Sequence, residues 1–311
     1  MQRESALIVM AALAASYGYC QSSPPPQSGT PPDEIGILKV QGNVYMVVTP
    51  AGNIAAQVGD DGILVVNTGP EAMAPKIAAA LRKLSDKPIQ WVVNTDADPD
   101  HFGGNEALPG LSGLAPGRQP RIVAHENVLN RLSAAPARNQ TKTPESLWPN
   151  DEYFTPIKDF SFNGEAVLVY HVPDAITDGD SMVHFRRSDV LAAGAVFTPG
   201  LYPVIHLDRG GSIQGLIALN QILRITVPLK YEEAGTYVIP GRGRLCDEAD
   251  VVEYRNMVTI VRDRVRDLIG KDKTLEQVKT ARPTRDYDTQ YDAQSADAFV
   301  EAVYKSLTGK K

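Results

Sequence analysis

A strand, a helix and a second strand follow one another between residues 62 and 94, and this order limits the fold more than any other feature of the chain. Gly62 to Val66 is a short apolar run of β-type residues. Met73, Ile77, Leu81 and Leu84 then recur at helical spacing, with Glu71 in the first turn. Pro88 to Asn94 (PIQWVVN) is a second apolar run. Two strands joined through a helix form a crossover unit, which places them in one sheet with the helix packed on its face.

The rest of the chain is mainly β before residue 240 and helical after it. Val44 to Thr49 reads as a strand, and Gly59-Asp60-Asp61-Gly62 as a hairpin turn. Further strands are expected at Ile122–Ala124, Glu165–Val172, Met182–Phe185, Val190–Ala193 and Tyr237–Ile239, with a helix over Ile213 to Ile222. Asp247 is placed to cap a long helix with the apolar stripe Val251, Tyr254, Val258, Val261, Val265 and Leu268, and Gly270 to stop it. Thr274 and Gln277 form a capping box for a shorter helix, and a last helix covers about Ala296 to Leu307. These helices read most simply as packing elements.

Residues 1–20 read as an address. Arg3 precedes an apolar run from Ala6 to Ala15, which suits a signal-peptide core and is too short to span a bilayer. Export to the periplasm or the extracellular space is the expectation. Residues 21–35 hold five prolines and read as an extended spacer. Tyr19 is bulky for a lipoprotein site, so no lipid anchor is expected at Cys20. With Cys20 removed, Cys246 is left alone, and neither a disulfide nor a thiolate zinc site can form. The net charge is −6, with no basic patch, which argues against nucleic acid as a partner. At 43% apolar residues in 311, there is material for a sizeable core and no second hydrophobic segment for a membrane span.

Chemistry concentrates at Asn94 to Asn105 (NTDADPDHFGGN). Asp96, Asp98, Asp100 and His101 leave the end of a buried strand together. Clustered carboxylates raise one another's pKa values and call for a cation, a shared proton or open water. An Asp-rich turn that merely caps the next helix is the plain alternative. Ser181 and Ser212 lack a nucleophile elbow, so serine hydrolysis is not indicated. His125, His171, His184 and His206 stand apart and read as structural; Thr198 to Gly211, with Tyr202, His206, Asp208 and Arg209, reads first as a solvated connection, with a groove wall as the alternative.

This segment resembles the metallo-β-lactamase signature, His-x-His-x-Asp-His followed by Gly-Gly-Asn. Four more stretches agree with that superfamily in order. Ile63 to Gly69 (ILVVNTG) resembles its early strand ending in Asp-Thr-Gly, and Pro173 to Asp180 (PDAITDGD) its His-Thr-Asp-Gly-Asp segment. Val190 to Phe197 (VLAAGAVF) resembles the strand ending in Gly-Asp-x-Phe, and Val238 to Gly243 (VIPGRG) the Pro-Gly-His-Gly loop. The resemblance implies an α/β protein, an αββα sandwich over residues 36–245, with residues 246–311 as a C-terminal helical extension. It also implies a site at the mouth between the two sheets.

On the same resemblance, the metal-ligand histidines fall on Asp96, Asp98, Ile176 and Arg242. The bridging aspartate falls on Ala195 and the supporting aspartate on Asn67, while Asp100 and His101 keep the family residues. Zinc prefers nitrogen and sulfur donors, so no metal cofactor is the first expectation. In that case Arg242 replaces the metal by forking onto Asp96, Asp98 or Asp100. The chain would then be a catalytically impaired relative of metal-dependent hydrolases that binds a small molecule or serves a structural role. The alternative is an active hydrolase with one divalent metal (Mn, Mg, Ca or Zn) on Asp96, Asp98, Asp100 and His101, with Asp100 as general base. A shared proton between Asp96 and Asp98 is a third option.

Overall fold

The computed structural model describes residues 34–115, 117–135, 141–217, 219–226 and 235–309. The expected signal peptide, Cys20 and nearly all of the proline-rich spacer lie outside the described residues. Among those described, no helix is long and apolar enough to cross a membrane.

Two sheets face each other. The first has seven strands in chain order, β1 (Gly36–Gln41), β2 (Val44–Thr49), β3 (Gly52–Gly59), β4 (Gly62–Val66), β5 (Ile89–Val93), β6 (Arg121–His125) and β7 (Asp151–Tyr153). It is antiparallel from β1 to β4, and the 59–62 turn closes the β3–β4 hairpin. From β4 to β7 it is parallel. The crossover between β4 and β5 carries α1 (Ala74–Arg82), which buries Ile77, Ala78 and Leu81. The second sheet has the order β12-β11-β10-β9-β8. Its strands are β8 (Ile157–Phe162), β9 (Glu165–His171), β10 (Ser181–Phe185), β11 (Val190–Ala192) and β12 (Tyr237–Ile239).

Alternation along these strands builds three apolar layers. Val44, Leu64, Val66 and Val93 of the first sheet meet Val167, Val183, Phe185 and Ile239 of the second in a dry seam. The outer face of the first sheet packs on α1 and on Leu108 of α3 (Ala107–Leu111). The outer face of the second is covered by the helices that follow residue 212. This is the α-β-β-α layering expected from the sequence.

Those covering helices are α5 (Ile213–Leu216), α6 (Leu219–Ile225), α7 (Glu248–Gly270), α8 (Leu275–Thr280) and α9 (Ala296–Thr308), which follow α2 (Pro99–Phe102), α3 and α4 (Glu126–Ser133) in the chain. Asp247 and Asp250 form the capping box of α7, and Thr274 and Gln277 that of α8. Two expectations need correction. The helix over Ile213 to Ile222 is two short helices, with Ile217 closing the first. Gly215 sits there because its backbone lies against the Asp174 carbonyl, where a Cβ would collide. Nor does Gly270 stop α7. It belongs to the helix, and the left-handed residue beyond it is Asp272, at φ 55°.

Candidate functional site at the mouth of the sandwich

The parallel strands β4 and β5 end side by side at the mouth. Past Val93, the residues Asn94, Thr95 and Asp96 stay as buried as the strand, at 0 to 1% exposure. Their polar groups are therefore satisfied internally. Asn67, left-handed at φ 68°, accepts hydrogen bonds from the Thr95 amide (2.9 Å) and hydroxyl (3.1 Å). Asn94 and Asn105 exchange side-chain bonds, and the Asn94 amide also donates to the His101 carbonyl. Gly104 allows the turn to close, because a Cβ there would sit 2.7 Å from the Thr68 carbonyl.

Asp96 is the centre of the site. Its two carboxylate oxygens lie 2.7 and 2.6 Å from Nδ1 of His101, and one also accepts the Asp98 amide at 2.9 Å. Burial pushes the Asp96 carboxyl up, but the His101 charge and these hydrogen bonds together hold it below its ordinary value. Burial likewise pushes His101 down, and the Asp96 carboxylate overcomes this and raises it. The two form a buried ion pair. Asp98 precedes α2 and takes a 2.5 Å bond from Arg209 Nη1. Arg209 is anchored in turn, since its carbonyl accepts from Arg131, which also pairs with Asp178 at 2.7 Å.

Asp180 organises the neighbouring loop, accepting from the Ile176 and Thr177 amides and the Thr177 hydroxyl. Burial and the nearby Asp96 charge push its carboxyl up to about 8, against the pull of those donors.

The structure corrects the role expected of Arg242. Its guanidinium does not fork onto a carboxylate; Nη1 donates to the Pro50 carbonyl (2.9 Å) and Nη2 to the Ala51 carbonyl (2.7 Å). The reason is steric. Asn53 binds its loop through bonds to the carbonyls of Pro240, Gly241 and Gly243, which turns residue 242 toward the β2–β3 turn. The cation on a carboxylate is Arg209, in the Thr198 to Gly211 segment, which lines the site and is not the solvated connection first expected. Asp96 and Asp98 do not face each other across a shared proton either, since each has its own cationic partner.

A cavity of about 550 Å³ opens over this network. Asp98, Asp100, His101, Ile176, Ala195 and Arg242 all line it. Asp96 and Asn67 lie beneath. Thr198, Leu201, Tyr202, Val204 and His206 form another wall, so the loop after β11 is part of the site and not a mere connection. Asp292 and Ser295, just before α9, complete it. The C-terminal helices thus do more than pack. Tyr202 is buried because it stacks between Tyr291 and Phe299 and donates to Asp288. His125 and His171 are not isolated: their rings stack 3.6 Å apart. Among the described residues, no group of three or more His, Cys, Asp or Glu side chains is arranged to hold a metal ion.

A family model described as the metallo-beta-lactamase superfamily matches residues 38–237. The linear primary-alkylsulfatase of Pseudomonas sp. (strain ATCC 19151) is 36% identical over 73 residues, which are 23% of this chain and 14% of that protein. Among solved structures, the stereoselective inverting sec-alkylsulfatase Pisa1 from Pseudomonas sp. aligns with a TM-score of 0.60 at 17% identity. That alignment covers 89% of this chain and 51% of the other. The metallo-beta-lactamase from Pontibacter korlensis aligns with a TM-score of 0.53 at 14% identity, over 73% of this chain and 99% of the other. The chain spans about half the length of the sec-alkylsulfatase it matches.

Proposed function

The chain belongs to the metallo-beta-lactamase superfamily, and from that premise we propose that its mouth is a metal-free pocket that binds a small molecule, in an exported protein. The superfamily's fold implies metal ions at this position, so the donors present are the test. Ile176 and Ala195 offer no ligand atom, and Arg242 brings a cation where a ligand would stand. His101, the one imidazole of the loop, spends Nδ1 on Asp96. Asp98 is neutralised by Arg209. Zinc at a catalytic centre usually takes three protein ligands rich in nitrogen or sulfur. This set does not fit a dinuclear zinc centre, and no hydrolytic step is derived through one.

The observation that carries the reading is the Asp96–His101 pair, in which two positions of the metal signature satisfy each other. A cavity of about 550 Å³ is of the size that holds small ligands. At 17% identity, the likeness to the sec-alkylsulfatase extends to the fold alone.

The test is a thermal-unfolding series on the full chain with EDTA and with Zn²⁺, Mn²⁺, Mg²⁺ or Ca²⁺. The expected result is one Tm across the series. A Tm that EDTA lowers, and one of these metals restores at micromolar concentration, would sink the metal-free reading.

A further inference from the structure

We infer that the ligand of this cavity is an organic monocation with an apolar body. The inference rests on the ligand-pocket reading above and names its chemistry. The apolar part follows from the wall, which is mostly apolar and includes Pro99, Ile176, Ala195, Leu201, Tyr202 and Val204. Val204, 64% exposed, adds an apolar side chain to the open part of the wall.

The charge follows from which lining groups are already matched. Asp98, Asp100, Asp292, His101 and Arg242 carry the charges of the wall, and His101 is matched by Asp96 beneath it. Arg209 compensates Asp98. Arg242 spends its two terminal nitrogens on the carbonyls of Pro50 and Ala51, outside the cavity's carboxylates. Asp292 accepts only an amide, that of Gln294, which leaves its charge standing. Asp100 shares no ion pair with any described residue. Among the described residues, two wall carboxylates thus have no ion-pair partner, against one guanidinium whose bonds to neutral carbonyls leave its charge in place, so the unmatched charge of the wall is net negative by one. Asp100 comes from the first turn of α2 and Asp292 from the approach to α9, so a cation held there would join the sandwich to its C-terminal helices. Complementary potential of this kind sets which charge a site accepts.

The experiment compares two probes of matched shape and opposite charge, 2-phenylethylamine and 3-phenylpropanoate, by calorimetric titration of the full chain at low and high salt. The amine is expected to bind at least about tenfold more tightly, with the preference shrinking at high salt. Asp100→Asn with Asp292→Asn should abolish most of that preference. Asparagine caps a helical turn as well as aspartate does, so the Gln294 contact survives, and an unchanged urea midpoint checks the fold. Ala195→Trp fills the cavity and should abolish binding. Equal or tighter binding of the carboxylate overturns the cation assignment and leaves the pocket a ligand site. If neither probe binds, or if Ala195→Trp binds as the parent does, the ligand-pocket reading falls with it.

Discussion

The end of strand β5, Val92 and Val93, and the three residues after it are equally buried and opposite in kind. Val92 and Val93 lie in apolar layers on the two faces of the first sheet, while Asn94, Thr95 and Asp96 are bonded at nearly every polar atom. The seam is held by volume and the mouth by partners. A seam residue can be replaced by another of similar size, because dispersion and burial have no direction. A mouth residue cannot, because each lost partner leaves a desolvated group behind. In this chain the two kinds of packing follow one another within a few residues, Val92 and Val93 held by volume and Asn94 to Asp96 by partners.

The largest effect should come from the seam. Phe185→Ala removes a fully buried ring from the contact between sheets and is expected to cost about 3–5 kcal/mol, read from urea denaturation. Met46→Leu in the same seam should cost less than about 1.5 kcal/mol. A larger loss from the second change than from the first would break the idea that volume governs this region. In the mouth, His101→Ala leaves Asp96 buried with its charge unpaired, for about 3 kcal/mol by the same measurement. A loss near zero would mean that the pair is not what holds the turn.

Arg242→Ala should be milder, about 1 kcal/mol, since an exposed side chain gives up two bonds to carbonyls and Asn53 still fixes the loop. Equality with His101→Ala would restore Arg242 as the metal's substitute.

The smallest effect is a pH dependence from His125. Burial, and then the stacked His171, lower His125 to about 4, against 6.5 when unfolded; Asp178 pulls the other way. Between those values the unfolded chain binds the extra proton. His125 therefore contributes its full stability above pH 6.5 and loses it as the pH falls toward 4. His125→Gln should flatten the wild-type decline in urea midpoint over that range, and parallel profiles would contradict the assignment.

Strand runs, the crossover, the Asp247 cap and the Thr274–Gln277 capping box were legible in the sequence because they are local. Period, turn residues and a carboxylate three positions ahead of its amide all act within a few residues. The acidic turn was legible as a place for the same reason. Its chemistry was not. Asp98 meets a cation 111 positions away, in a loop with no pattern of its own, and the Arg242 guanidinium turns from the carboxylates because Asn53, 189 positions earlier, sets its loop. Asp180 ends the Pro173 to Asp180 stretch, yet only the closed turn shows three donors converging on it. Asp292 and Tyr202 reached the cavity through tertiary stacking of aromatic rings that no spacing announces.

The central claim is that side-chain partners hold the mouth where its superfamily uses metal. Elemental analysis of the full chain, after exposure to Zn²⁺, Mn²⁺, Mg²⁺ and Ca²⁺ and removal of loose ions, tests it most directly. It should be run beside the variant Asp96→His, Asp98→His, Ile176→His, Ala195→Asp and Arg242→His. The account expects no stoichiometric metal in the natural chain and bound zinc in the variant. A tightly held metal in the natural chain, lost on Asp100→Ala or His101→Ala, would contradict it.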